Sequence, residues 1–230
     1  MANRTSNALA GAGRLDEPMS VKQSAYRLFC EALFDGRLRP GQFVSQRELV
    51  ALLGLSIGAL RELLPRLQSE GLLSVMPQRG IQITQIDLPM IRDAFQMRMA
   101  LEREAVISAV RRLPDDILAD ERQKHLGVME EVARAATAEA LERSQQIDDG
   151  FHNLLISWTQ NELLAQAYAV NTIRIRLIKL DRITLTASVL PSAFQDHLAV
   201  IEAIGARDVH RAIDAMDRHI ANARDRAIAL

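Results

Sequence analysis

The order of the short elements in residues 21–84 constrains the fold more than any other feature of the sequence. Three segments with helical periodicity follow one another, and only a tight turn at Gly54 separates the second from the third. Ser45, with a glutamate three residues later, matches a capping box, and Ser56 can cap the next helix. Two short alternating runs, LLSVMP and IQITQI, flank the residues QRG and predict a β-hairpin. Three helices and a hairpin predict a winged helix-turn-helix, whose third helix enters the major groove of DNA.

From Asp87 onward the sequence predicts helices only. Six segments have helical periodicity, and breaks at prolines, glycines and capping residues separate them: 88–112, 114–137, 138–159, 161–183, 192–205 and 208–229. The predicted fold class is therefore mainly α. We expect a disordered lead over residues 1–17, a winged helix-turn-helix with a small β-hairpin over 18–85, and a C-terminal six-helix antiparallel bundle over 86–230.

The composition is that of a globular protein, with 48% hydrophobic and 25% charged residues. No apolar run approaches the roughly 18 to 20 residues that a membrane span needs, and the beginning of the chain lacks the apolar centre of a signal peptide. These features predict a cytoplasmic protein with no membrane partner. The single cysteine, Cys30, cannot form an intrachain disulfide, and its position predicts a buried thiol within a helix.

Charge is unevenly distributed along the chain. Residues 1–84 contain 10 Lys and Arg against 7 Asp and Glu, whereas residues 85–230 contain 18 against 22. A net charge of +3 on the first part and of −4 on the second follows from these counts. A mildly basic head on an acidic body is typical of a nucleic-acid-binding module joined to a regulatory domain.

Several motifs in order resemble one family of bacterial regulators. The segments GRLRPGQFVSQRELVALLGLS, ALRELLPRLQSEGLL and QRGIQIT resemble the DNA-binding domain of the GntR regulators. MRMALEREA, DDGFHNLL, HLAVIEAI and DVHRAIDAMDRH resemble the helical effector (FCD) domain of their FadR-type branch, and six helices instead of seven resemble its VanR subgroup. The resemblance implies a ligand-responsive repressor or activator that acts as a homodimer on a palindromic double-stranded DNA operator.

The resemblance also implies which residues contact DNA. The planar guanidinium of arginine can donate two hydrogen bonds to a phosphate or to the edge of a guanine. Hydroxyls, amides and helix N-termini commonly form hydrogen bonds with phosphates. The expected contacts are Arg47, Arg61, Arg79, Ser45, Gln46 and Ser56.

Family members commonly have Arg, Thr and Pro just after the serine that opens the recognition helix, but this chain has Ile57, Gly58 and Ala59, so its operator sequence is expected to differ. Pro65 lies inside the same predicted helix, where it removes a backbone hydrogen bond and predicts a kink. The alternative is that Arg61 pairs with a helix neighbour and Arg79 is a solvated turn residue.

Four residues of the second part have the spacing of a metal site. Asp148 and His152 are four residues apart on one predicted helix, so they share a face. His197 and His219 lie at equal distances from residue 208, inside the predicted turn between the last two helices, so antiparallel packing brings them to one level. One carboxylate and three imidazoles suit a divalent ion, with zinc expected first and nickel, manganese or iron as alternatives. The same residues match the Asp-His-His-His site of the family's metal-binding members. Each histidine taken alone has an ordinary structural role as its alternative, and His125 and His210 are expected to face solvent.

An effector acid that ligates the metal also needs a cationic partner. Arg98, in the family-like stretch MRMALE, is the first candidate, followed by Arg174 and Arg176; surface or interhelical ion pairs are the alternative for all three. Two other hypotheses remain open at this point. The metal could be purely structural, or it could activate water in a hydrolase or isomerase with an accessory DNA-like head, although no general base is visible beyond the ligands themselves.

Overall fold

The computed structural model describes residues 20–182 and 186–229, so the predicted lead of residues 1–17 lies outside the described residues. The first part of the chain has three helices and three strands in this order: α1 (Val21–Phe34), β1 (Phe43–Val44), α2 (Gln46–Leu53), α3 (Ile57–Ser69), β2 (Leu73–Met76) and β3 (Gly80–Ile83). We call this part the winged domain. The predicted order of helices and hairpin is confirmed.

Local capping explains where α2 and α3 begin and end. The Ser45 hydroxyl accepts a hydrogen bond from the Glu48 backbone N–H, and the Glu48 carboxylate accepts one from the Ser45 N–H, which completes the capping box. Gly54 ends α2 with φ of 64°, a left-handed conformation that glycine adopts without strain. Ser56 then caps α3 through the Ala59 N–H. The tight turn between the two helices therefore follows directly from the sequence.

The wing contains one strand more than the sequence predicted. The sheet is antiparallel with strand order β1-β3-β2, so β3 is its central strand. β1 contains only Phe43 and Val44, which is too short for an alternating pattern to be recognised. Gly80 at the start of β3 has φ of 94°, and a Cβ there would lie 2.8 Å from the Val44 carbonyl oxygen. Only glycine lets these two strands approach so closely.

The second part of the described chain is a helical bundle without strands. Its six helices are α4 (Leu88–Arg112), α5 (Asp115–Arg134), α6 (Ala138–Ser157), α7 (Glu162–Arg182), α8 (Leu190–Gly205) and α9 (Val209–Ile228). α4 packs against α6, α7, α8 and α9, so it is the central helix. The predicted mainly helical fold with a C-terminal six-helix bundle is confirmed. None of the described helices is long and apolar enough to span a membrane.

α7 connects the bundle to the winged domain. Arg174 donates a hydrogen bond to the Glu70 carbonyl oxygen at the C-terminal cap of α3. The guanidinium carbon of Arg176 lies 4.1 Å from the centre of the Phe34 ring in α1. Cys30 is buried in α1, as predicted, and burial raises the pKa of its thiol to about 11. Both cationic side chains of α7 therefore reach across to helices of the winged domain.

Candidate metal centre and DNA-binding surface

The bundle brings the four predicted metal ligands together. α6 supplies Asp148 and His152, α8 supplies His197, and α9 supplies His219. One donor atom from each lies within 4.8 Å of the other three, and all four side chains are buried. The hairpin of α8 and α9 turns just before Asp208, which caps α9, and so places its two histidines side by side. The His197 and His219 Nε2 atoms are 3.2 Å apart, and the nearer Asp148 oxygen lies 3.5 Å from His197 Nε2.

A buried carboxylate fixes the ring of His152. Its Nδ1 lies 2.6 Å from a Glu102 oxygen, while the other Glu102 oxygen accepts a 2.6 Å hydrogen bond from Arg98 Nε. Burial alone would raise the pKa of Glu102, but its interactions with Arg98, followed by those with His152, outweigh burial and lower that pKa to about 2. An ionised Glu102 accepts a hydrogen bond from Nδ1–H, so the neutral form of His152 has its lone pair on Nε2. That Nε2 is buried and has no hydrogen-bond partner.

A second relay orients His197. His125 Nδ1 lies 2.7 Å from the Glu121 carbonyl oxygen, and His125 Nε2 lies 3.0 Å from His197 Nδ1. A carbonyl oxygen only accepts, so His125 carries its proton on Nδ1 and accepts from His197 with Nε2. The lone pair of His197 is therefore on its Nε2, which faces Asp148 and His219. Outer partners of this kind are typical of histidines that ligate a metal.

The prediction that His125 faces solvent was wrong, because this side chain is fully buried. It lies on the core stripe of α5, seven residues from Leu118 and seven from Val132, which are also buried. That spacing was visible in the sequence and identifies the face. His210, predicted to face solvent as well, is exposed.

Lys179 was not anticipated from the sequence. Its ammonium donates to Asp148 Oδ2 over 2.5 Å and to Asp149 Oδ1 over 3.2 Å. Burial alone would raise the pKa of Asp148, but Lys179, followed by the histidines, holds it well below the ordinary value. Asp148 is therefore ionised, with Oδ2 held by the lysine and Oδ1 directed at His197.

Two imidazoles of the cluster, those of His197 and His219, are held in the neutral form that ligates metals. Burial lowers the pKa of His197 well below 6.5, and the neighbouring His152 lowers it further. Burial and then His197 do the same for His219. An ionised carboxylate and neutral imidazoles need no deprotonation before they bind an ion at neutral pH. The orphaned His152 Nε2 and the convergent lone pairs fit a divalent cation.

The candidate effector arginines occupy three different positions. Arg98 is buried beside the cluster and lines two cavities, a small one of about 20 Å³ next to His219 and a larger one of about 170 Å³ next to His152. Arg176 lines the larger of these two cavities. Arg174 faces the winged domain instead, where its guanidinium donates to the Glu70 carbonyl oxygen. Lys179 lines both cavities.

The candidate DNA-contacting residues lie around the N-termini of α2 and α3 and at the tip of the wing. The side chains of Arg47, Arg61 and Arg79 are exposed, and none of them forms an ion pair with another described residue. Ser45 and Ser56 are exposed N-caps, and Gln46 is the first residue of α2. α3 continues through the exposed Pro65 as one helix, without an interruption at the predicted kink. Ile57, the first residue of α3, is exposed as well.

A winged helix-turn-helix joined to an all-helical bundle defines a class of DNA-binding transcription regulators. This chain belongs to the GntR family, in its FadR-type branch. The family model for bacterial regulatory proteins of the gntR family matches residues 22–83, and the model for the FCD domain matches residues 93–222. The family resemblance seen in the sequence is confirmed, while the VanR-like subgroup stays a prediction.

Relatives with known names are regulators as well. The HTH-type transcriptional repressor GlaR of Escherichia coli K12 is 26% identical over 198 residues, which cover 85% of this chain and 90% of GlaR. The repressor RspR of the same organism is 25% identical over 219 residues, which cover 90% of this chain and 89% of RspR. The solved structure of E. coli McbR/YncC has a TM-score of 0.66 at 20% identity and covers 89% of this chain and 95% of its own, which shows the shared fold. The protein is thus a DNA-binding transcription regulator and not an enzyme.

Proposed function

We propose that this regulator binds one divalent metal ion and a small carboxylate effector in its bundle, and that the effector changes its affinity for operator DNA. The observation that carries the proposal is the buried cluster of Asp148, His152, His197 and His219, in which His152 Nε2 has no partner. Burying a polar nitrogen without a partner costs about 1 to 3 kcal/mol, and a bound ion removes that cost. A cytoplasmic location accompanies this role, as the sequence predicted.

The donor set favours zinc, with nickel, manganese or iron as alternatives. Three imidazoles and one carboxylate suit these ions, and zinc sites of this type keep ligand bonds of about 2.0 to 2.2 Å. The ion would be held by His152 Nε2, His197 Nε2, one His219 nitrogen and Asp148 Oδ1. Bound there, it would supply a positive charge, and with five or six ligands in place of four it would also accept an effector oxygen.

A carboxylate is the effector chemistry that the surroundings favour. Arg98 and Lys179 line both cavities beside the cluster, and Arg176 lines the larger one. Arg98 already bonds Glu102 through Nε, which leaves its terminal nitrogens for a ligand. Cations positioned next to an open metal site bind an anionic ligand more tightly than a neutral one of the same shape.

On the DNA side, we propose a homodimer on a palindromic operator. A two-fold dimer places one α3 in each half-site, with Arg61 near base edges and Arg47 near bases or adjacent phosphates. Arg79 at the wing tip is placed for the minor groove or the backbone, and Ser45, Gln46 and Ser56 for phosphates. The three arginines are exposed and form no ion pair with another described residue, and both serines are exposed, which supports this assignment.

Coupling needs a route between the two ligand sites. The junction at residues 84–88 joins β3 to α4, the helix that carries Arg98 and Glu102. α7 supplies a second route, since Lys179 contacts Asp148 near one end and Arg174 contacts the cap of α3 further toward the other. An effector shifts operator affinity only if it binds one arrangement of these helices better than another.

The test is operator affinity of the full-length protein, measured by fluorescence anisotropy with and without zinc and a panel of small carboxylic acids. We expect at least one acid to change the operator dissociation constant, and only when metal is present. The matched variants are His152→Gln, which removes a ligand, and His210→Gln, which removes an exposed histidine and should respond as wild type does. If no acid changes the operator dissociation constant of the folded, metal-loaded protein, the metal has a structural role only.

A further inference from the structure

We propose that Arg176 recognises a second carboxylate of the effector, so that the regulator responds to short dicarboxylates in preference to monocarboxylates of the same length. This inference rests on the proposed function, because it specifies the ligand of the same site. It depends on the position of one arginine, on the balance of charge around the larger cavity, and on a contact between that arginine and the winged domain.

Arg176 is one of three cations that line the larger cavity. The cavity has a volume of about 170 Å³ and is lined by His152, Arg98, Lys179 and Arg176. Lys179 contacts Asp148 in the metal cluster, and Arg176 is one turn of α7 away from Lys179, a rise of about 4.5 Å along the helix. A ligand that contacts both the metal and Arg176 therefore needs a second acceptor group one turn of α7 beyond the first.

Arg176 has no carboxylate partner among the described residues, because the acids near it are paired with other cations. Asp149, which lines the same cavity, is paired with Lys179. A neighbouring surface cavity also includes Arg176, and its two acids are paired elsewhere: Glu31 with Arg27 and Asp35 with Arg37. The Arg176 guanidinium is exposed and stacks only on the Phe34 ring. It is therefore available to a ligand anion without breaking an existing ion pair.

Charge balance points to the same ligand class. The charged groups around the cavity and its metal cluster are four cations and four carboxylates: Arg98, Arg176, Lys179, Arg226, Glu102, Asp148, Asp149 and Asp196. These eight charges cancel, and imidazoles that ligate a metal are neutral, so a divalent ion leaves two positive charges uncompensated. A dicarboxylate neutralises both, whereas a monocarboxylate leaves one in a largely buried site, where an uncompensated charge is costly.

The stacking on Phe34 links this recognition to DNA binding. Phe34 lies at the C-terminal end of α1, and its ring meets the guanidinium of Arg176 from the bundle. A second carboxylate that draws the guanidinium into the cavity removes this cation–π contact between the two parts of the protein. The residue that distinguishes dicarboxylates from monocarboxylates is thus also one that touches the winged domain.

The test is isothermal titration of the zinc-loaded, full-length protein with succinate and glutarate, compared with butyrate and valerate. We expect each dicarboxylate to bind at least about tenfold more tightly than its monocarboxylate counterpart, the size of one charged hydrogen-bond pair. In Arg176→Gln this preference should disappear while monocarboxylate affinity and zinc content stay unchanged, and Arg176→Lys should recover part of it. The matched control is Arg182→Gln, which removes a partly exposed arginine of α7 that pairs with Asp181 and lines neither cavity.

Each outcome of the titration has a defined meaning. Equal affinity of wild type for both acid classes, or an equal loss of both classes in Arg176→Gln, overturns the inference but leaves the proposed function standing. Failure of all four acids to bind overturns the inference, and the proposed function fails too if operator affinity ignores the wider panel of acids. Phe34→Leu should keep the dicarboxylate preference and lose part of the operator response; an unchanged response would reject the link to the winged domain.

Discussion

The functional polar groups are exposed in the winged domain and buried in the bundle. Around α2, α3 and the wing, Arg47, Arg61 and Arg79 are exposed, and the polar ends of both helices are satisfied by their own caps. In the bundle, Asp148 and three histidines are buried, and two of their ring nitrogens, His152 Nε2 and His219 Nδ1, have no hydrogen-bond partner among the described residues. The first arrangement is complete without DNA, whereas the second is complete only with an ion. Substitutions should therefore affect binding alone in one region, and binding together with stability in the other.

Metal removal should produce the largest effect. A ligand at about a thousand times its dissociation constant stabilises the folded state by about 4 kcal/mol. For a chain of this size that corresponds to roughly 10 °C in Tm. Scanning calorimetry of wild type with zinc and with a chelator should show this difference, and His152→Gln should show much less of it. An equal zinc effect in both proteins would place the ion elsewhere.

The pH dependence of the metal-free protein should come next. Burial lowers the pKa of His197 and His219 below the ordinary value of 6.5. As the pH falls below about 6.5, the unfolded chain binds protons that the folded chain does not, so the free energy of unfolding decreases. Above that pH these two histidines do not change the dependence of the free energy of unfolding on pH. In urea unfolding, the free energy of unfolding should decrease less between pH 7 and pH 5 for His219→Gln than for wild type. His210→Gln is the control and should behave as wild type does. An equal decrease in all three proteins would contradict the assignment.

Replacement of Arg61 should weaken operator binding without weakening the fold. Loss of a base contact costs about 1 to 3 kcal/mol, or roughly five- to 150-fold in affinity. The Tm should shift little, because the side chain is exposed and forms no ion pair with another described residue. Anisotropy at fixed salt compares Arg61→Ala with Arg27→Ala, an exposed arginine that pairs with Glu31 on α1. A loss of the same size in both variants would argue against a specific role for Arg61.

The smallest effect should come from the contact between the two parts. Arg174→Ala removes one hydrogen bond to the Glu70 carbonyl oxygen, worth about 1 kcal/mol. We expect a Tm lowered by about 2 to 4 °C and a reduced effect of the effector on operator affinity. Arg182→Ala on the same helix is the control. An unchanged effector response in Arg174→Ala would leave the 84–88 junction as the coupling route.

The sequence predicted the elements better than the environment of the site. Capping serines, the glycine at position 54 and leucine periodicity are local signals, so α1 to α3 and the wing hairpin could be placed from them. The helical spacing of Asp148 and His152 and the symmetry of His197 and His219 about the α8–α9 turn likewise identified the cluster. β1 is two residues long, and its pairing with β3 depends on tertiary contacts that no local pattern reports.

The partners of the ligands were harder to foresee. Glu102 lies four residues after Arg98, a spacing that places both on one face of α4, and His125 lies on the core stripe of α5. Both signals were present in the sequence. Lys179 has no such signal, because its contact with Asp148 depends on how α7 packs near α6. The separation of Arg174 from Arg176, one on the cap of α3 and the other beside the cavity, also follows only from packing.

The most direct test of the central claim is metal analysis of the purified protein, with wild type compared with an Asp148→Ala, His197→Ala double variant. Circular dichroism would check that both proteins remain helical. The account predicts about one divalent ion per chain in wild type and none in the folded double variant. Wild type that contains no metal after incubation with zinc, nickel, manganese and ferrous iron would contradict it, as would a double variant that keeps its ion.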